Sequence, residues 1–239
     1  MSAAPELVDL PPSGRVFARE LTPGLHDAAP GGRVRLDALA RWLQDVAHAD
    51  VTDAGLQDRA LWVVRKARLC VRRFPRFGER ATVQTWGSGL GSLWAERRTR
   101  VSTEAGGHVE AAAIWVHLDP VTAMPARLDE EELGVYGPSA QGRRVKASLR
   151  HPPPPEGAPV RPWTFRATEL DLADHINNAA YWTPLEEELL AGEEPARVDV
   201  ELEYRTPGQP GEHIVVRDGS RRWIVAADGT VLASFVFLG

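Results

Sequence analysis

Residues 34–50 read VRLDALARWLQDVAHAD. From Arg35 to His48, the apolar residues Leu36, Leu39, Ala40, Leu43, Val46 and Ala47 recur at spacings of three and four, which predicts an amphipathic helix with one buried face. Strand-like stretches follow at Leu61 to Val71, Arg80 to Gly87, Leu93 to Ser102 and His108 to Leu118, with glycine-containing breaks at Gly87–Gly91 and Gly106–Gly107. Short strands in succession, joined by such turns, imply an antiparallel sheet. The run Gly87-Ser88-Gly89-Leu90-Gly91 lacks the Lys-Ser/Thr pair of a phosphate loop and reads as a hairpin turn.

The composition changes between Gly137 and Pro159, where Gly, Ser, basic residues and the run Pro152 to Pro155 predict a linker, because consecutive prolines remove the amide hydrogens that helices and central strands need. Beyond it the same order returns. Trp163 to Ala167 is strand-like, a polar loop leads into a helix expected over Asn178 to Ala191, and Pro184 is expected to kink that helix or delay its start. Ala196, Val198, Val200, Leu202 and Tyr204 then alternate with polar partners, as in a strand with one face on a core and one in water. Arg222 to Ala227 and Val231 to Leu238, joined at Asp228-Gly229, read as a hairpin. Each half is therefore strand, loop, long helix and several antiparallel strands. Arg19-Glu20-Leu21 and Thr168-Glu169-Leu170 are matched as the loops preceding the two helices. Two such halves can pair their sheets edge to edge and remove an exposed edge from each.

The chain has 239 residues, 43% hydrophobic and 26% charged, enough for a real core and outside the range of disordered chains. Its formal net charge of -5 argues against a general nucleic-acid binder. Cys70 is the single cysteine, so no intramolecular disulfide forms, and no Cys/His spacing resembles a zinc site. The start carries no signal-like segment and no apolar run approaches the length of a membrane span, so a cytoplasmic location is expected.

The densest polar cluster is Asp171-Leu172-Ala173-Asp174-His175-Ile176-Asn177-Asn178, followed by Tyr181 and Trp182, in the loop entering the second helix. Unpaired backbone N–H groups and the positive end of a helix dipole favour an oxygen that gains negative charge, as in attack on a thioester carbonyl. His175 can move a proton near neutral pH, and Asp171 can orient water or act as its base. The same residue types are also ordinary N-caps and turn formers, and that reading stands beside the catalytic one.

Asp171-x-x-x-His175-x-Asn177-Asn178-x-x-Tyr181 resembles the active-site segment of hotdog-fold thioesterases. The wider chain resembles the acyl-acyl-carrier-protein (acyl-ACP) thioesterases of plants and bacteria, through VRLDALARWLQDVAHAD, WVVRKARLCVRRFPRFGERATVQTW, AAAIWVHLD, DLADHINNAAYW and VELEYRTPG in that order. The resemblance implies an α+β fold of two hotdog domains in tandem, each a curved antiparallel sheet wrapped around a long helix. It places an N-terminal domain at 1–136, a linker at 137–159 and a C-terminal domain carrying the active site at 160–239. The implied activity is hydrolysis of fatty acyl-ACP in fatty acid biosynthesis, without metal or cofactor, with Asp171, His175 and Asn177 catalytic and Asn178 and Tyr181 on the substrate or oxyanion side. The partner is then an acyl carrier protein or, in the alternative acyl-CoA reading, coenzyme A, and a homodimer stays open. A non-catalytic acyl-thioester or lipid-binding protein is the reading from another class. Two positions depart from the plant pattern: Ala173 stands where those enzymes have asparagine, and Tyr204-Arg205 is followed by Thr206, Pro207 and Gly208 in place of a glutamate and a cysteine.

Other candidates are weaker. Glu186, Glu187 and Glu188 are read mainly as a solvated helix face, with one of them open to a role at the site. No Gly-x-Ser-x-Gly element supports a serine triad, and Cys70 reads as a small buried residue. Arg65, Lys66, Arg68, Arg72, Arg73 and Arg76, with Arg143, Arg144, Lys146 and Arg150, either attract an acidic carrier protein or solvate a strand and linker. Most of the eight tryptophans are expected in the core, with residues of the first half lining an acyl tunnel.

Overall fold

The computed structural model describes residues 5–239. Its elements are β1 (Phe17–Leu21), α1 (Leu36–Asp53), β2 (Leu61–Arg73), β3 (Ala81–Leu90), β4 (Trp94–Thr103), β5 (His108–Leu118) and α2 (Glu130–Ala140), then β6 (Val160–Phe165), α3 (Thr183–Leu190), β7 (Val198–Tyr204), β8 (Gly211–Asp218), β9 (Arg221–Ala226) and β10 (Val231–Phe237). The architecture is α+β: few helices and a large antiparallel sheet ordered β1-β3-β4-β5-β2-β7-β10-β9-β8-β6. From the β2–β7 seam outward, the neighbours run β5, β4, β3, β1 on one side and β10, β9, β8, β6 on the other. The seam pairs Ala67 with Leu202, Leu69 with Val200 and Val71 with Val198, so the joining edges complete each other's hydrogen bonds.

Side-chain alternation along the seam separates two environments. On one face Leu69, Val71, Val200 and Leu202 pack in a core with Leu39, Trp42 and Val46 of α1 and with Trp182 and Leu185. Burial of each such Leu or Val contributes about 1.5–3 kcal/mol, which is why the apolar stripe dictates where α1 lies. The opposite face is a partly buried charge ladder. Lys66 pairs with Glu203 at 3.0 Å, Arg68 holds Asp199 through two bonds of 2.9 and 2.7 Å, and Arg98 and Arg100 both hold Glu110. Arg65 donates to the carbonyls of Tyr204 and Arg205, and Arg76 to that of Gly31. These cations are spent on the protein's own acceptors, so of the two readings the structural one fits them, while Arg72 and Arg73 remain at the exposed end of β2.

Several elements differ from the sequence expectation. The second helix begins late: Ala180–Trp182 is a 3-10 turn, Pro184 occupies the first turn of α3, and α3 is only eight residues long. Proline is tolerated there because that amide has no intrahelical acceptor. Arg19-Glu20-Leu21 lies in β1, whereas Thr168-Glu169 lies in a 3-10 turn, so that loop pairing is not an equivalence; in the sheet, β1 pairs β3 as β6 pairs β8. Gly87-Ser88-Gly89-Leu90 is the end of β3, with a register shift between Gly87 and Gly89, and the chain reverses after it. A Cβ on Gly89 would come within 2.5 Å of Val145 Cγ1, so glycine is what lets residues 143–145 lie against β3. The helix α2 crosses the expected linker start at 137 despite Pro138, launched by a capping box between Asp129 and Glu132. β8 was not anticipated.

Of the three glutamates, Glu186 is buried and Glu188 pairs with Arg222 and Arg217, while Glu187 is exposed. Cys70 is buried. Trp42, Trp86, Trp182 and Trp223 are core residues, and the other four tryptophans are partly exposed.

Candidate active site

A cleft of about 440 Å³ opens between α1, the strands β2 to β5 and the segment 171–178, within the size range of small-molecule sites. Its wall carries Ala47 and Val51 from α1, Leu61 and Trp62 from β2, Ala95 from β4, Trp115 from β5, and Leu128 and Tyr136. Arg97 and Glu96 on this wall are held by partners of their own. Arg97 bonds Asp50 at 2.5 Å, and Glu96 accepts from Ser88 at 2.8 Å and from Arg143. The first half thus supplies a largely apolar lining that includes two of the tryptophans.

The second half supplies the polar end: Asp171, Asn177 and Asn178 line the same cleft. A tight loop places them. Leu170 bridges Ile176, the Asp171 N–H donates to the His175 carbonyl at 2.9 Å, and Asp174 takes a left-handed φ of 58° that closes the turn. The Asp171 carboxylate accepts the Ala173 N–H at 2.9 Å, an Asx turn that fixes its side chain through backbone, so the alanine at this position still serves it.

Backbone accounting then singles out one amide. The Asn177 N–H is spent on the Glu169 carbonyl at 2.8 Å, and the Ala179 N–H on Asn177 Oδ1 at 2.9 Å. The Ala180 N–H donates to the Asn177 carbonyl. Among the described residues the Asn178 N–H has no acceptor. Its neighbourhood is rigid, because Tyr204 Oη donates to the Asn178 carbonyl at 3.0 Å and itself accepts from Trp182 Nε1 at 3.2 Å. Burial pushes the Tyr204 phenol up, so it stays a neutral donor.

Two expected site residues fall elsewhere. The His175 side chain is exposed and does not line the cleft. Ile176 and Leu170 take the inward positions of the small loop, which turns its tip, residues 172–175, toward solvent. Tyr181 is a core residue, 2% exposed, tilted against Phe165 and edge-on to Tyr204, and burial raises its phenol to about 12. Its hydroxyl lies against Gly208, where a Cβ would sit 2.5 Å from Oη.

The structure adds three residues that sequence reasoning missed. Gln44, Asp45 and His48 line the cleft from α1. Gln44 and His48 are four apart, hence on one helix face beside the apolar stripe. That spacing was readable; what faces it was not, since the facing residues come from the other half of the chain. Partial burial pushes the Asp45 carboxyl up, against the pull of Arg41, His48 and Arg19.

One further cluster has metal-ligand composition: His151, Glu201 and Glu203 offer atoms within 4.8 Å of one another. The Lys66 ammonium already sits 3.3 Å from Glu201 and 3.0 Å from Glu203, so the positive charge this set calls for is built in.

No helix among the described residues is long and apolar enough to cross a membrane. The chain is similar to an uncharacterized protein of Mycobacterium tuberculosis, 27% identical over 213 residues that cover 88% of this chain and 85% of that one. It is similar at lower identity, 23% over 195 residues, to a chloroplastic palmitoyl-acyl carrier protein thioesterase of Gossypium hirsutum, covering 70% of this chain and 46% of that one. In fold it is similar to the crystal structure of an acyl-ACP thioesterase from Bacteroides thetaiotaomicron, with a TM-score of 0.75 at 18% identity over 93% of this chain and 97% of the other. The family described as acyl-ACP thioesterase N-terminal domain matches residues 14–136, just over half of the sequence, and the chain belongs to that family.

Proposed function

We propose that the protein hydrolyses fatty acyl-ACP, with the acyl chain in the apolar cleft and the thioester carbonyl at its polar end. Family membership implies thioester hydrolysis. The observation that carries the site assignment is that Asp171 and Asn178, whose N–H has no acceptor among the described residues, line the same largely apolar cleft.

Asp171 takes a proton from water as the water oxygen bonds to the carbonyl carbon, and the carbonyl π pair moves onto the oxygen held by the Asn178 N–H. When the tetrahedral adduct collapses, the C–S bond breaks and the thiolate recovers the proton from Asp171. The products are a carboxylic acid and a free thiol. His175, with its ring exposed, has no part in this scheme. The fold reading that accompanies it is two hotdog domains in tandem, divided as 1–136 and 160–239 around a connecting segment; the matching strand order on either side of the β2–β7 seam supports it.

Thiol release from one acyl group presented on ACP and on coenzyme A tests the reading. A kcat/KM at least about tenfold higher on ACP, a difference of about 1.4 kcal/mol, is expected. A preference for coenzyme A moves the assignment to an acyl-CoA thioesterase. Saturable binding with no thiol release from either carrier overturns it.

A further inference from the structure

Two cavities meet at one pair of side chains. Beside the apolar cleft lies a polar groove of about 730 Å³, walled by Arg35, Asp37 and Arg41 on one side and by Glu169, Thr183 and Glu187 on the other. Gln44 and Asn177 line both cavities, and no other described residue does. Gln44 and Asn178 also share a small gap of about 40 Å³ between α1 and the seam strands, so the first half's glutamine and the second half's two asparagines converge at one waist.

The amides at that waist are not equivalent. Asn177 spends its Oδ1, its carbonyl and its N–H on holding the loop. The side-chain NH2 groups of Gln44, Asn177 and Asn178 donate to no acceptor among the described residues, and Gln44 is the one whose backbone is held in the middle of a helix packed on the core. A thioester carries an apolar arm and a polar thiol arm on either side of its carbonyl. With the apolar arm in the cleft and the polar arm in the groove, the carbonyl has one place to lie, and that place is the waist.

On the thioester hydrolase reading above, we infer that Gln44 is a catalytic residue supplied by the first half: its Nε2–H group donates to the thioester carbonyl oxygen, which the Asn178 N–H holds with it, while the thiol arm leaves along the polar groove. Two donors of this kind stabilise the oxygen as its negative charge develops, and removal of one such donor costs about 10²–10³ in kcat where a hole has been dissected. The groove's mixture of both charge signs and hydroxyls suits a long, neutral, amide-bearing thiol arm.

The test compares wild type, Gln44→Ala and Gln44→Met in steady-state thiol release from the acyl-ACP that wild type turns over best. Methionine keeps the side-chain volume and removes the donor, so it serves if alanine fails to fold, and thermal melting reports folding in both. A loss of at least about thirtyfold in kcat with KM within about threefold is the expected result. A variant that melts with wild type and keeps kcat within about threefold overturns the role of Gln44 while leaving the hydrolase reading standing. A wild type that releases no thiol from any acyl thioester overturns both. A loss confined to KM assigns Gln44 to ground-state binding and overturns its oxyanion role.

Discussion

Glu186 on α3 accepts the backbone N–H of Leu36, the first residue of α1, at 2.9 Å. The helix α1 has no side-chain cap of its own at Arg35, so a carboxylate from the other half of the chain serves its N-terminus, where the helix dipole favours negative charge. Arg33 completes the arrangement, its Nη2 2.7 Å from Glu186 Oε1, with both side chains 3% exposed. One carboxylate thus ties the helix that carries Gln44 to the half that carries Asp171.

Replacing Glu186 by alanine leaves an orphan N–H and a buried guanidinium whose remaining carboxylate is the partly exposed Glu194, 2.9 Å from Arg33 Nε, which places the expected loss at about 1–3 kcal/mol. Denaturant titration of Glu186→Ala measures it. Because an apolar pair of similar volume avoids the stranded charge, Arg33→Met/Glu186→Leu is expected to recover more than half of that loss. A single-variant loss under about 1 kcal/mol is incompatible with the capping role.

Asp171 and His175 are separated by the same assay. Asp171→Asn keeps the shape and the Asx turn yet removes the base, and kcat is expected to fall by about 10²–10⁴. His175→Ala is expected to stay within about threefold of wild type, because its ring is exposed and does not line the cleft. Equal losses in both variants return His175 to the mechanism.

Gly208→Ala drives a methyl group to 2.5 Å from Tyr181 Oη and 3.0 Å from Leu232 Cδ1. Overpacking of this kind costs about 1–3 kcal/mol. Adding Tyr181→Phe removes the obstructing oxygen, so the double variant is expected to melt closer to wild type than Gly208→Ala alone. An additive double variant excludes the contact as the cause.

On the proposed function, the wall of the cleft sets the length of acyl chain accepted. Ala95 lies opposite Trp115 in the β4–β5 ladder, and both line the cavity. Ala95→Phe fills part of that space, and the optimum in a series of saturated acyl-ACPs is expected to move to shorter chains, with at least about a tenfold change in the ratio of kcat/KM for long against short substrates. An unmoved optimum places the acyl chain elsewhere.

Acid sensitivity is expected from the outer face of the sheet. Burial alone would raise Glu203, but the N–H groups of His151 and Arg150, the charge of His151 and the hydrogen bond from Lys66 hold its carboxyl below the ordinary glutamate range. A carboxylate with a lowered folded pKa contributes stability that is present above its unfolded value and lost as pH falls through the folded one. Asp37 and Glu188 are lowered likewise, by Arg35 with Arg41 and by Arg222 against the opposing effect of burial. Denaturant midpoints are therefore expected to drop below about pH 4.5, and Glu203→Gln should flatten that limb. A limb of unchanged slope in the variant rules Glu203 out as a contributor.

Local periodicity made most of the elements readable. The stripe from Leu36 to Ala47 and the alternation from Val198 to Tyr204 state which side chains go inward, and β5 spans the predicted residues His108 to Leu118. Elements without such a pattern were missed. The helix α2 contains Gly134, Gly137 and Pro138, which read locally as linker, and its capping residues Asp129 and Glu132 were the overlooked signal. In β8, Glu212 and His213 obscure the strand pattern ahead of Ile214, Val215 and Val216.

By itself, the sequence determined that two similar arrangements of strands and a helix follow one another, and that a loop rich in Asp and Asn precedes the second helix. Those are consequences of backbone conformation and side-chain spacing over a few residues. Only the tertiary structure decided that Asp171 and Asn178 enter the cleft while His175 stays outside, and that Gln44 reaches the same place from more than a hundred residues away. Such facts depend on how β2 and β7 pair and on which amide hydrogens the turns have already consumed, and both are settled by contacts between parts of the chain that no local pattern relates.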